Sequence, residues 1–534
     1  MMNAHRPHPL LAKLIERLGA ARVMTDPDSL GYYSQDYFRE AEGLLAAVKP
    51  ANRDDLAAAL RCINAAGLAV YPRGAGYSYT EGYLPTRPGV CLDLTDLNRI
   101  ETLDTEDMYV VVEAGCTWAA LDAALQAKGL RTPFFGPMSG LHSTVGGAVS
   151  QHALGMGSAR FGASARSVLA LEVLDSEGQA LRTGAWTDRR SPFFREYGPD
   201  LTGLFCGDCG ALGIKTRIAL PLMARPTEVV GLSFGFDSLD ALVAGNAAVA
   251  RLGVAADSNS MSAQAVLDAA QGQPLRQELK TLWQVASNGS SLLSGIGRAG
   301  RIALSGRRFA AGYAQTAHFA VEGANAQTVR GHAQAVRAAV APFGQEIPAT
   351  VPVVLRAAPF QEYDMLAPTG QRQLPPNTVL PFSQVASMAR AFEAEVTALT
   401  GTDNPHGLGV ATMFSIIGTT AMLCEPVITW NDAPGAFHRR HTSAATLKLA
   451  EAQAPNLEAR SQLLALRERF VELAQQHGGT HLQIGKAYPY LSGRDARYGD
   501  LMRELKQHID PNDLLNPGAL GLGNANLTES KESP

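Results

Sequence analysis

The sequence predicts an α+β fold, in which short apolar strands alternate with amphipathic helices. Leu and Ile recur with helical spacing in residues 9–20 and 53–66, and glycines follow where these helices would end. Apolar runs typical of strands lie at 68–71, 90–94 and 109–113, and a further helix is predicted over 118–128. This alternation defines the first part of the chain.

The pattern changes near Thr227, where longer helices begin. Candidate strands lie at 229–236, 307–320 and 410–430, and candidate helices at 329–342, 385–399 and 443–476. After residue 478 we expect a strand, a helix and a final turn at 510–518. The sequence therefore predicts a first domain over 1–224, a cap domain with an antiparallel sheet and flanking helices over 225–477, and a segment over 478–534 that returns to the first domain.

One proline-rich stretch interrupts the cap. Residues 347–382 carry seven prolines and no sustained periodicity. A loop of this length is typical of a lid, a binding loop or an interface arm.

Composition restricts the partners and the compartment. The 534 residues include 46 Lys and Arg against 50 Asp and Glu, which leaves a net charge of −4. This balance argues against a nucleic-acid or anionic-membrane partner, which would need a concentrated basic face. There is no membrane-length apolar stretch and no signal-peptide pattern at the start, and six cysteines are too few for a disulfide framework. We expect a cytoplasmic protein with reduced thiols.

Three glycine-rich segments point to a bound anion. They lie at 72–78, at 136–147 with a continuation over 155–162, and at 206–216. Closely spaced glycines let backbone N–H groups converge on an anion, and Ser and Thr add donors. A separate GxGxxG match at 295–300 lacks the strand before it and the helix after it that a dinucleotide fingerprint requires.

In this order the three segments resemble the flavin-binding domain of the vanillyl-alcohol oxidase and p-cresol methylhydroxylase family. Residues 104–118 are similar to the strand before that family's first helix, and 510–518 to its terminal motif. The resemblance implies a PCMH-type FAD-binding domain, a cap over the flavin, and FAD as the cofactor.

The resemblance also implies which residues contact FAD. The pyrophosphate would lie on Pro72, Arg73, Gly74, Ala75, Gly76, Tyr77 and Ser78. The ribityl chain and ring would lie along Pro137, Ser139, His142, Ser143, Thr144, Gly146 and Gly147. The adenine end would be closed by Gly157, Ser158, Arg160, Phe161, Gly210, Gly213, Ile214 and Thr216, and the terminal motif would add Asn516.

Covalent flavin attachment is not expected. Relatives linked through the first loop carry His where Tyr77 stands, and doubly linked relatives carry Cys where His142 stands. The cap position used by other relatives falls near Cys424 and Glu425, where no His or Tyr occurs. We expect non-covalent FAD, with His142 as the remaining candidate for a link.

The chain also departs from the phenol-oxidising members. Tyr77 matches one of their phenolate-binding residues, but residues 478–482 lack the Tyr-Arg pair, and their acid residue would fall at Ala163. Lys486 is similar to a flavin-facing lysine of the alditol-oxidase branch. His481 with 483–485 loosely resembles the Glu-His-Gly segment of the hydroxy-acid dehydrogenase branch.

Five residues are candidates for the chemistry. Oxidation of a C–OH group needs a hydride acceptor and a base for the hydroxyl proton. His481 or Glu425 could be the base, or each could be satisfied structurally. Lys486 could hold a negative charge or be a solvated surface lysine. The other two are Arg160, which could bind a substrate anion, a phosphate or an ion-pair partner, and Tyr77.

Metal and dithiol chemistry are the less favoured interpretations of two further patterns. Cys206 and Cys209 have redox-dithiol spacing but stand inside a glycine motif. The pairs 438/441 and 477/481 have helical His spacing without completing ligands, so no metal site is predicted.

The predicted function is therefore that of an FAD-dependent oxidoreductase. It would oxidise the C–OH group of a small alcohol or 2-hydroxy acid by hydride transfer, and pass the electrons to oxygen or another acceptor. The alternatives are benzylic oxidation of an aromatic alcohol or 4-alkylphenol, and a flavin-binding protein without turnover. The oligomeric state, including a homo-oligomer, is left open.

Overall fold

The computed structural model describes residues 8–188, 190–266 and 310–523. It combines helices with one parallel-centred sheet and two larger antiparallel sheets, which confirms the predicted α+β class. The GxGxxG match at 295–300 lies outside the described residues.

The first sheet carries the first glycine-rich segment at its edge. Its order is β1-β2-β4-β3, and β2 and β3 both run parallel to β4. The helix Arg53–Ala65 connects β2 to β3, capped by Asn52, and its buried leucines pack against the sheet. Residues 74–78 therefore leave the sheet at the carboxyl end of β3. The strands are β1 (Val23–Met24), β2 (Leu44–Val48), β3 (Ala69–Arg73) and β4 (Gly89–Asp93).

A second, antiparallel sheet supports the other two glycine-rich segments. Its order is β5-β6-β10-β8-β9, and a separate pair joins β7 to β11. Its core packs against the helices Trp118–Gln126 and Val145–Gln151. The strands are β5 (Ile100–Asp104), β6 (Tyr109–Glu113), β7 (Leu130–Arg131), β8 (Ala170–Leu174), β9 (Ala180–Arg182), β10 (Ile214–Pro221) and β11 (Met223–Ala224).

The third sheet forms the cap. Its order is β15-β12-β14-β13-β18-β19-β16, and β17 also pairs with β19. Its strands are β12 (Glu228–Phe236), β13 (Ala255–Ser262), β14 (Gln315–Gly323), β15 (Gln345–Ile347), β16 (Arg372–Leu374), β17 (Thr378–Pro381), β18 (Gly409–Ile417) and β19 (Ala421–Trp430). The helices that flank it are Leu239–Leu252, Ala326–Val340, Thr350–Ala357, Phe382–Thr400, Ala436–Arg440, Ala444–Glu451 and Leu457–Gln476.

Strand β19 separates the cap core from the opposite face. Cys424, Ile428 and Trp430 are fully buried in the main core cluster. Glu425 and Val427, which alternate with them, are only partly covered. Since side chains alternate across a strand, β19 presents Glu425 and Val427 on the face away from the flanking helices.

Three predicted elements need correction. The helical region 443–476 is two helices, separated near Pro455, because proline cannot continue a helix. The strand expected after residue 478 is absent from the described residues, where Thr480 makes a single bridge to Val379 of β17. Residues 347–382 are not structureless, since they contain the helix Thr350–Ala357 and the short strands β16 and β17.

The C-terminal segment packs onto the first two sheets. In the helix Ala496–Ile509, the buried Lys506 ammonium donates to Asp510 at 2.6 Å and to the carbonyls of Ala211 and Leu515 at 2.9 and 2.7 Å. The predicted domain boundaries stay a prediction. Within the described ranges, no helix combines the length and apolarity that crossing a bilayer requires.

Candidate functional site

The loop after β3 is built around a buried arginine. The Arg73 guanidinium carbon lies 4.5, 5.0 and 5.1 Å from the ring centroids of Tyr32, Tyr33 and Tyr83. Its Nε and Nη2 atoms are buried without a hydrogen-bond partner among the described residues. Such a guanidinium is a strong candidate to bind an anion.

The same loop offers further donors. The backbone N–H groups of Ala75, Gly76 and Tyr77 have no acceptor in the part of the protein that the structure describes. Gly76 adopts a φ of +84°, and a Cβ there would overlap the Arg73 guanidinium. A Cβ on Gly74 would likewise overlap the Thr144 hydroxyl. Glycine is therefore needed at both positions for the loop to approach its neighbours.

A cavity of about 2070 Å³ lies between this loop and the cap sheet. Ordinary ligand pockets measure about 300–1,000 Å³, so the cavity can hold a dinucleotide and a second molecule. Eighteen of the residues singled out from sequence line it: Pro72, Arg73, Gly74, Ala75, Gly76, Tyr77, Ser78, Pro137, Ser139, His142, Ser143, Thr144, Gly146, Gly147, Gly210, Gly213, Ile214 and Glu425. Unpartnered donors next to a cradle of glycines fit the pyrophosphate of FAD.

Six predicted cofactor residues do not line the cavity. Residues 157–161, which include Gly157, Ser158, Arg160 and Phe161, pack against cap strands β13 and β18, and the Gly157 N–H donates to Asp257 at 2.7 Å. Thr216 is buried in β10, where its hydroxyl donates to Glu172. Asn516 lies behind the wall and donates to the carbonyls of Gly82 and Cys209. The structure places these six outside the cavity lining, and their contact with FAD stays a prediction.

Tyr77 joins a chain of three polar rings. Its hydroxyl is 3.1 Å from His441 Nδ1, and His441 Nε2 is 3.0 Å from the Tyr32 hydroxyl. Burial lowers the pKa of His441 to about 4, so its imidazole is neutral at pH 7. A neutral imidazole has one donor and one acceptor, so one tyrosine donates to it and the other accepts. His142 stacks on the Tyr77 ring at 5.6 Å.

Glu425 is a carboxyl of cap strand β19 that lines the cavity, as Glu362 and Asp364 of the cap loop also do. Its Oε1 accepts a hydrogen bond of 2.8 Å from the Tyr79 hydroxyl. Burial raises the pKa of Glu425 to about 7, while the bond from Tyr79 acts in the opposite direction. A carboxyl with this pKa changes charge near neutral pH and can serve as a proton acceptor.

Three of the catalytic candidates do not line the cavity. His481 donates from Nδ1 to the Asn377 carbonyl at 2.7 Å and stacks on Tyr488 at 4.3 Å. The Lys486 ammonium donates to Asn516 Oδ1 at 2.6 Å, and burial lowers its pKa to about 7. Neither lines the cavity, nor does Arg160, whose guanidinium lies over Phe161. The catalytic roles of these three residues stay predictions: His481 bonds the Asn377 carbonyl, Lys486 bonds Asn516, and Arg160 is exposed.

The sequence analysis missed Arg440 and the role of His441. Both line the cavity, and the Arg440 guanidinium lies 4.0 Å from the Tyr32 ring centroid. Arg440 makes no ion pair or hydrogen bond within the described residues, and its charge is among the causes that lower the pKa of Asp26. The signal available was the His-Arg-Arg-His run, which suggested metal spacing. Its first histidine instead bonds the Tyr37 carbonyl at 3.0 Å.

The metal and dithiol patterns acquire structural explanations. All six cysteines are free, and burial raises the pKa of Cys206 and Cys209 to about 12. Thiols with such pKa values are poor nucleophiles at neutral pH. In the ranges that the structure describes, no cluster of three His, Cys, Asp or Glu side chains is arranged for a metal ion.

The proline-rich stretch supplies one wall of the cavity. Residues 360–369 line it after the helix Thr350–Ala357. Arg356, near the end of that helix, pairs with Asp257 at 2.6 Å and with Glu322, which also binds Arg131 at 2.5 Å. This buried cluster of two cations and two anions anchors the start of the loop.

Comparison with known proteins identifies the first part of the chain. A family model described as an FAD binding domain matches residues 44–184. This segment is an FAD-binding domain. It includes the first glycine-rich segment, the second with its continuation, and the chain of residues between them, so the cofactor predicted from these segments is confirmed.

Relatives by sequence share this part of the chain. A glycolate oxidase subunit from Bacillus subtilis (strain 168) is 30% identical over 37% of this chain and 40% of the relative. A mitochondrial D-lactate dehydrogenase [cytochrome] from Arabidopsis thaliana is 28% identical over 39% of this chain and 36% of the relative. The chain thus spans about 40% of the length of these curated relatives.

The whole fold has a solved counterpart. A crystal structure of p-cresol methylhydroxylase with substrate bound superposes with a TM-score of 0.69 at 17% identity, covering 97% of each chain. At this identity the likeness shows the fold alone. It confirms the PCMH-type architecture with a cap, whereas the relatives by sequence are of the glycolate oxidase and D-lactate dehydrogenase type.

Replacing Gly76 tests the assignment of the cofactor loop. Gly76→Val should abolish FAD binding, because its side chain would strain a φ of +84° and collide with an arginine held between tyrosine rings. The ratio of flavin absorbance to protein absorbance measures the loss. Gly331→Val is the matched control, since that glycine has no atom within 4 Å of an added Cβ. Full flavin occupancy in Gly76→Val would contradict the assignment.

Proposed function

We propose that the protein is an FAD-dependent oxidoreductase that oxidises the C–OH group of a 2-hydroxy acid. One observation carries the proposal: a single cavity joins the FAD-binding segments to Tyr77, Glu425 and the unpaired cation Arg440. The printed names of the relatives, glycolate oxidase and D-lactate dehydrogenase, support this substrate class.

Glu425 is the proposed proton acceptor. When bound, FAD supplies the acceptor for the hydride from the substrate carbon. The hydroxyl proton passes to the Glu425 carboxylate as the C–O bond becomes a carbonyl, so the product is a 2-keto acid. Oxygen or another acceptor then takes the two electrons.

Arg440 is the proposed partner of the substrate carboxylate. It lines the cavity without an acidic partner in the described residues. A guanidinium can bind a carboxylate through two parallel hydrogen bonds. The neighbouring Arg439 is already paired with Glu451 and does not line the cavity.

Tyr77 and His441 are proposed to orient the substrate oxygen. Burial raises the pKa of the Tyr77 hydroxyl above its usual value, so it stays protonated and can donate. His441 and Tyr32 fix the direction of that hydroxyl through the chain of hydrogen bonds.

We also propose a cytoplasmic location and non-covalent FAD. The six unpaired thiols support a reducing compartment. For the cofactor, Tyr77 is committed to His441, and Cys424 is buried on the other side of β19.

Acid release and substrate reduction of the flavin test two points together: whether FAD is non-covalent, and whether the protein oxidises a 2-hydroxy acid. Acid precipitation should release the yellow colour to the supernatant, and anaerobic addition of a 2-hydroxy acid should bleach the flavin. Addition of 4-alkylphenols is the comparison. Colour retained in the pellet would indicate a covalent link, with His142 as the first residue to map. Bleaching by the phenols alone would replace the proposed substrate class with benzylic oxidation.

The pH profile tests Glu425. Because the base must be ionised, kcat/KM should rise with pH through about 7 and level off above it. Glu425→Gln should lower the rate of flavin reduction by about 10²–10⁴-fold and leave FAD bound. Tyr79→Phe removes a hydrogen bond to the ionised form, so the rising limb should move to higher pH. An unmoved limb in Tyr79→Phe would exclude Glu425 as its origin.

Substitution of Arg440 tests carboxylate binding. Arg440→Met should lower kcat/KM for a 2-hydroxy acid by about 10- to 100-fold, the usual loss for a charged hydrogen bond. The corresponding alcohol without a carboxylate should be oxidised equally well by both proteins. Arg439→Met is the matched control and should behave like the wild type. Equal losses of kcat/KM for the acid and the alcohol would show that Arg440 supports the structure of the site and does not bind the substrate carboxylate.

A further inference from the structure

On the cap side, strands β18 and β19 give the cavity a strip of apolar surface that the proposed chemistry does not use. On β19, the residues that alternate with the core are Glu425, Val427 and Thr429, and all three line the cavity. On β18, their register partners are Met413, Ala411 and Gly409, which line it too. Outward from Glu425, the sheet therefore offers only small or apolar side chains until Thr429.

This apolar strip has a definite length and end. Glu425 and Thr429 are four residues apart, which corresponds to about 13 Å along a strand. Thr429 pairs with Gln373 of β16, and beyond it Gln371 bonds the Gly407 carbonyl and Asn431. The apolar strip thus begins at the proposed base and ends in a polar mouth.

An apolar run of residues also lines the cavity, flanked by the polar Glu362, Asp364 and Thr369. It consists of Met365, Leu366, Ala367 and Pro368, from the loop that the buried ion cluster anchors. If FAD occupied as much as about 1,000 Å³, the top of the usual range, a similar volume would remain of the 2070 Å³. A hydroxy acid of two or three carbons would leave most of that space filled with water against apolar surface.

We infer that the substrate carries an unbranched apolar chain that lies along β18 and β19 from Glu425 towards Thr429. This inference rests on the proposed function for the position of the reacting carbon, and it specifies the substrate class as a medium- or long-chain 2-hydroxy acid. The carboxylate and hydroxyl are held at the inner end, and the chain is buried between the sheet and the loop.

A series of straight-chain 2-hydroxy acids tests the inference through turnover. Burial of one CH₂ contributes about 0.8 kcal/mol, which corresponds to about four-fold per methylene in kcat/KM. The gain should continue from four carbons upward and stop once the chain reaches the polar mouth. A flat or falling series among acids that do bleach the flavin would overturn the chain and leave the proposed function standing.

Binding measured without turnover separates the two proposals. Straight-chain carboxylates without the hydroxyl cannot be oxidised, and calorimetry of the flavin-loaded protein should show their Kd falling with chain length in the same steps. If Kd falls with chain length but no hydroxy acid of any length bleaches the flavin, the apolar strip does bind an alkyl chain and the proposed function is wrong. If Kd is independent of length, the inference is wrong.

Variants on the two faces of the β18–β19 pair locate the substrate chain. Ala411→Phe should fill the strip and weaken binding of long carboxylates more than ten-fold. Val427→Ala should reduce the gain per methylene without blocking the strip. Thr412→Ala is the matched control, because Thr412 alternates with the cavity-lining residues of β18 and does not line the cavity. FAD content and Tm check that each variant folds. Equal effects of Thr412→Ala and Val427→Ala would contradict the placement.

Discussion

The cofactor site depends on the guanidinium of Arg73, held among three tyrosine rings directly beneath Gly76. A buried cation needs compensation, and here the ring faces supply part of it while two of its nitrogens remain without a partner. The fixed guanidinium leaves no room for a side chain at Gly76 and so determines the path of the loop. The unpartnered donors then face the place where a phosphate would neutralise the Arg73 charge and accept their hydrogen bonds. The same arginine thus shapes the loop and supplies part of its affinity.

Two side chains that follow on this loop connect the FAD-binding domain to the cap. Tyr77 bonds His441, and Tyr79 bonds Glu425, each more than 340 residues away in sequence. Both bonds are partly buried, and each contributes to the contact between the loop and the cap. The two bridges therefore hold the cap in a fixed relation to the cofactor loop. The buried cluster around Glu322 does the same for the loop that closes the cavity.

Local patterns account for what the sequence predicted well. The glycine segments and the helix ends are properties of neighbouring residues, so the FAD-binding domain could be expected. Arg440 and His441 could not, because their partners are aromatic residues near the start of the chain, and no spacing rule links positions so far apart. The orientation of His481 and Lys486 could not be predicted for another reason. Their positions were plausible, but a motif does not specify whether a side chain points to the cavity or, as here, to Asn377 and Asn516.

The charge distribution explains how a nearly neutral chain can be built for anionic ligands. The net charge of −4 over 534 residues describes the whole surface and excludes a broad basic face. It has no bearing on two cations placed at the cavity, Arg73 and Arg440, that lack acidic partners in the described residues. Other arginines, such as the buried Arg131 and the half-buried Arg356, are paired with carboxylates. Cations without an ion-pair partner gain most from a new anion, so Arg73 and Arg440 favour the FAD phosphates and one carboxylate, while Glu425, with its pKa near 7, can accept a proton in the same cavity.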